Sequence, residues 1–110
     1  MERGFLRKPD QVNQELTQFF KDNGFEVSWD YDKFYEWIEV YENGKNIIQI
    51  ESKVTVEQFI DLLVKDYEAR QKGIFIDPEF FVASNLFDDD ETALEFCNRF
   101  ELFRNKIKNS

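Results

Sequence analysis

A chain of 110 residues with 23 acidic and 14 basic side chains, a net charge of −9 and no histidine excludes several classes of protein at once. Lys and Arg hold a phosphate backbone by displacing counterions, so direct nucleic-acid binding is not expected. A single cysteine without histidine builds neither an internal disulfide framework nor a Cys/His zinc site. The hydrophobic share is 42% and Phe occurs 13 times, so the chain belongs with folded domains that bury an aromatic core, and its length fits a single domain over 1–110.

Glu2, Arg3, Arg7 and Lys8 leave no apolar stretch at the N-terminus, and no window approaches membrane-spanning length. A cytoplasmic protein without membrane contact is expected. The first periodic segment runs from about Asp10, a cap after Pro9, to Asn23, with Val12, Leu16, Phe19 and Phe20 on one face and Gly24 as its stop. Phe25, Val27 and Trp29 then alternate with Glu26, Ser28 and Asp30, the pattern of a strand with one buried face. A second strand spans roughly Phe34 to Tyr41, and Asn43-Gly44 predicts a two-residue hairpin turn into a third.

Counting back from that turn pairs Val40 with Ile47, Glu39 with Ile48, Trp37 with Ile50 and Glu36 with Glu51. One face then carries Tyr35, Trp37, Tyr41, Ile48 and Ile50, the expected core. The other carries Phe34, Ile38, Val40 and Ile47 among acids.

Thr55-Val56-Glu57-Gln58 fits a capping box, followed at helical spacing by Val56, Phe59, Ile60, Leu63, Val64 and Tyr67, with Gly73 ending the helix. Ile74-Phe75-Ile76 is a short strand candidate, and Asp77-Pro78 opens a brief helix through Phe80, Phe81 and Val82. Asp88 to Glu91 cap a last helix with Ala93, Phe96, Cys97, Phe100, Phe103 and Ile107 on its apolar side; Cys97 there reads as a buried structural thiol. The order is an N-terminal helix, a three-stranded antiparallel meander, a long helix, a short fourth strand and C-terminal helices packed on the sheet: an α+β fold.

Four candidate sites follow. Four consecutive acids at 88–91 cannot aim together at one ion from a helix start, and Asp30, Asp32 and Glu36 lack the glycine and the final acid of a calcium loop, so neither is read as a metal site. Glu51 and Lys53 lie two apart and project together from the third strand, with Glu36 set across from Glu51. Two carboxylates holding a metal beside a lysine would be phosphodiester-cleaving chemistry.

On Glu36 and on Glu51 and Lys53 within "IIQIESK", residues 10–76 resemble restriction-type nucleases of the PD-(D/E)xK family. The resemblance implies a helix, three strands, a helix and a strand, with Glu15 on the first helix as a further acid. The second strand lacks the family's Pro-Asp pair, and segment 26–51 holds seven acids against two bases where a nuclease groove is basic. The element order also resembles double-stranded-RNA-binding domains, but the second helix opens Thr55-Val56-Glu57-Gln58 without their lysine cluster.

The fourth candidate is an interaction face: Phe34, Ile38, Val40 and Ile47 bordered by Glu26, Asp30, Glu36 and Glu51. An apolar patch rimmed by one sign of charge marks a protein-binding surface. The expectation is a non-catalytic, cofactor-free module, monomeric or homodimeric, that binds a basic protein partner. Small inhibitors that mimic nucleic-acid charge are the analogy. A self-associating structural protein is the further alternative.

Overall fold

The computed structural model of the chain describes residues 9–31, 36–51, 53–75, 81–83 and 86–109. Helix α1 (Pro9–Asp22) leads into strands β1 (Glu26–Tyr31), β2 (Glu36–Glu42) and β3 (Lys45–Ile50). Helix α2 (Val56–Gln71), strand β4 (Phe81–Ala83), and helices α3 (Asp90–Cys97) and α4 (Glu101–Lys108) complete the α+β fold. The sheet is antiparallel throughout in the order β1-β2-β3-β4.

Local chemistry sets most of the boundaries. The β2–β3 turn has Asn43 at φ 54° and Gly44 at φ 77°, both in the left-handed region that this turn requires and that Asn and Gly tolerate. The capping box forms as read: Thr55 Oγ1 accepts from Gln58 N at 3.0 Å, and Gln58 Oε1 accepts from Thr55 N at 2.9 Å. Asp89 caps α3, accepting from the Thr92 amide at 2.9 Å and its hydroxyl at 3.0 Å. These bonds hold the Asp89 carboxyl below the ordinary 3.8.

Four elements differ from the sequence reading. Helix α1 starts at Pro9, whose fixed φ suits a first helical position, so Asp10 is inside the helix rather than its cap. The fourth strand is not Ile74-Phe75-Ile76: Ile74 and Phe75 are exposed outside any element, and Ile76 lies outside the described residues. It is Phe81–Ala83, where a brief helix was expected; Gln49 pairs with Val82 and Ile50 with Phe81, and Phe and Val suit a strand once that ladder is offered. The last helix is two helices, broken at Asn98–Phe100.

The fourth difference is the β2–β3 register. Glu42 pairs with Lys45 and Tyr41 with Asn46 as the turn dictates, but Val40 then meets Ile48, Glu39 meets Gln49 and Ile38 meets Ile50. Ile47 is the extra residue of a β-bulge. The reason is the adjacent pair Ile47-Ile48: strict alternation would put one of them in water, whereas the bulge leaves them 6% and 0% exposed.

The core therefore takes the opposite face of β2 from the one expected. Ile38, Val40, Ile48 and Ile50 pack with Leu16 and Phe20 of α1, Phe59, Ile60 and Leu63 of α2, Phe96 and Cys97 of α3, Phe100, and Phe103 of α4. Burial pushes the Cys97 thiol up to about 12, so it is an inert core group.

Candidate functional site

All the helices contribute to one cluster against Ile38, Val40, Ile48 and Ile50, and among the described side chains no residue at the alternate strand positions other than the bulge residue Ile47 belongs to it. Those alternate positions form the outer face. The ladder aligns Glu26 with Tyr41, Ser28 with Glu39 and Asp30 with Trp37, then Tyr41 with Asn46 and Glu39 with Gln49. Glu51 follows on the same face: its Oε2 accepts from Gln49 Nε2 at 3.1 Å. These positions hold four carboxylates, those of Glu26, Asp30, Glu39 and Glu51, and no lysine or arginine.

At the centre of this face Glu39 is held from both sides along its own strand. Its Oε2 accepts from Trp37 Nε1 at 2.9 Å and its Oε1 from the Tyr41 hydroxyl at 2.7 Å. Positions 37, 39 and 41 sit on one side of the pleat because side chains alternate, so an indole, a carboxylate and a phenol stand in a row. The arrangement fixes the carboxylate while each oxygen keeps lone-pair capacity for an incoming cation.

The Tyr41 pKa lies above the ordinary 10.0, chiefly because its hydroxyl donates to Glu39, with the Asn46 bond acting in the opposite direction. Replacing Glu39→Gln is expected to bring the Tyr41 titration back toward 10.0. NMR of ring-labelled tyrosine across pH 8–12 reads this, and an unmoved titration would show that the row does not hold in solution.

The residues singled out by sequence fall as follows. Glu26, Asp30 and Glu51 are on the outer face, exposed. Ile38, Val40 and Ile47 are 1%, 0% and 6% exposed, so they are core and not a contact patch; the bulge is the cause. Phe34 and Tyr35 lie outside the described residues, and of Glu36 only the backbone is described, pairing with Tyr31. Trp37, Glu39 and Tyr41 were missed as surface residues. The signal for them was the Ile47-Ile48 doublet, which breaks the two-residue period.

The nuclease set is described in part, since the Glu36 side chain lies outside the described residues. With Ile38 opposite Ile50, Glu36 does not stand across from Glu51. The Glu15 carboxylate accepts from Val56 N at 2.8 Å and so completes the N-terminus of α2. Lys53 is exposed beyond β3. Among the described residues, no group of three His, Cys, Asp or Glu side chains could hold a metal ion, and no helix is long and apolar enough to cross a membrane.

A second polar cluster lies between α2 and α3. Arg70 binds Asp66 at 2.8 Å, Asp90 and the Phe87 carbonyl, and its guanidinium lies 5.9 Å from the Phe87 ring centroid. A cavity of about 90 Å³ opens beside it, lined in part by Tyr67, Gln71 and Leu94. The Arg70 bonds tie α2 to the segment that enters α3 and to its first residue. Compared with protein families, curated proteins and solved structures, the chain matches none.

Proposed function

We propose that the protein is a non-catalytic binding module whose outer sheet face engages a basic protein partner, with carboxylates standing in for the phosphates that such a partner ordinarily contacts. The observation that carries this reading is the Trp37–Glu39–Tyr41 row on a face whose described ladder positions, with Glu51, hold four acids and no base. A carboxylate already oriented loses little freedom on binding, and flanking aromatic rings take the stem and charge of a lysine or arginine. Trp and Tyr are also the residues in which interface energy concentrates. A cytoplasmic setting accompanies the reading, since the lone cysteine is a buried thiol.

Calorimetric titration with a flexible ten-residue oligolysine tests it. Binding is expected at 20 mM salt and is expected to weaken steeply by 300 mM. Glu39→Lys should weaken it by at least about tenfold, whereas Glu68→Lys, an equal change of charge on exposed α2, should change it by no more than about threefold. Equal losses from the two variants would mean that net charge alone is at work, and the proposed site would fall.

A further inference from the structure

We infer that the outer edge of β1 accepts an extended basic segment of the partner as an added strand, an inference that rests on the sheet-face reading and specifies how the partner docks. Strand β1 has six residues and pairs with β2 on one side, and among the described residues no strand lies beyond it. An edge of this kind presents backbone N–H and C=O groups along about 20 Å of chain. The opposite edge, β4, has three residues.

Burial along β1 points the same way. Ile38, Val40, Ile48 and Ile50 on the inner strands are fully covered. Val27 and Trp29 share their face and pack on the same core, yet stay half-buried. A strand placed outside β1 would cover both. On the other face of β1, Glu26, Ser28 and Asp30 are exposed.

The chemistry of the incoming segment follows from this alternation. Residues opposite each other across a ladder share a face, and opposite charges there attract while like charges repel. Glu26 and Asp30 select lysine or arginine at two positions four apart. Val27 and Trp29 select apolar residues between them, giving the order basic, apolar, polar, apolar, basic. A second copy of this chain does not fit. The self-pairing that aligns residues 26–30 in full and keeps both helical layers on one side is centred on Ser28. It would set Glu26 of each copy across from Asp30 of the other.

Strand addition draws its affinity from main-chain hydrogen bonds and its specificity from alternate side chains. The probe is a fluorescein-labelled peptide with the central pattern Lys-Val-Thr-Val-Lys, read by anisotropy. It is compared with two versions N-methylated on the odd or the even set of amides, charges unchanged. Binding is expected for the parent, with slowed amide exchange at residues 26–31. One methylated version should bind at least about tenfold more weakly and the other nearly as well as the parent, because only one set of amides faces β1. The double variant Glu26→Lys/Asp30→Lys should reject the peptide and take its Lys-to-Glu counterpart.

If both methylated peptides bind like the parent, with β1 amides unprotected but Glu39→Lys still abolishing binding, strand addition is wrong and the sheet-face reading survives. If no lysine peptide binds in any form, both are wrong.

Discussion

Replacing Phe100→Ala is expected to remove about 3–5 kcal/mol of stability, the range for deleting a large aromatic from a packed interior. Phe100 is fully buried. Its ring stands against those of Phe19 at 5.1 Å, Phe96 at 5.2 Å, Phe59 at 5.9 Å, and Phe20 and Phe25 at 6.1 Å. These rings come from α1, its exit, α2 and α3, so one side chain fastens three helices and the start of the sheet. Offset and edge-on pairs add roughly 0.5–1.5 kcal/mol each beyond burial, and small domains hold only about 5–15 kcal/mol in total. The urea midpoint should fall by about 2 M. Phe100→Leu, which keeps most of the volume, should cost less than half as much. Equal losses for the two substitutions would mean that the ring contacts, which both remove, carry the energy and the filled volume does not.

The second large effect is expected at Arg70. Its side chain and that of Asp66 are each 13% exposed, and the guanidinium also reaches Asp90 and the Phe87 carbonyl. Removing one member of a buried pair leaves the other charged and poorly solvated, a larger penalty than the pair's net worth. Arg70→Met should therefore cost about 2–3 kcal/mol, reduced from the fully buried case by the remaining solvent contact. Arg70→Lys should recover only part, because an ammonium cannot bridge a planar set of acceptors. Adding Asp66→Leu to Arg70→Met should restore much of the loss, and a cycle of the single and double variants in urea measures the coupling. Amide exchange in α3 should quicken in Arg70→Met while α1 is unaffected; uniform quickening would mean that the cluster does not fasten α3 locally.

Much of this architecture was legible in the residues. Asn43-Gly44 forces a particular backbone, Thr55 and Gln58 satisfy each other's amides, and Phe25, Val27 and Trp29 alternate plainly, so turn, cap and strand each follow from chemistry within a few residues. The misreadings share another origin. Phe81–Ala83 is a strand because β3 offers it a ladder that suits Phe and Val, a partner that the Asp77-Pro78 start signal does not reveal. Phe96, Cys97, Phe100 and Phe103 keep helical spacing without Gly or Pro, so nothing local announces the break at Phe100, which adopts φ −101°, ψ 120° as the N-cap of α4. In the candidate site, the acidity of segment 26–51 was readable, but its side of the sheet was not. A turn fixes only the nearest pairs, and one inserted residue at Ile47 exchanged inside for outside across β2.

The unequal lengths of the two outermost strands have a further consequence for assembly. Fibrous growth needs every added unit to offer a fresh template as long as the one it consumed. Among the described residues the far side offers three residues against six, a short template for another round. Under the proposed strand addition, docking on the long side is expected to be a terminal event with a finite stoichiometry, which sedimentation of the protein with the peptide would read.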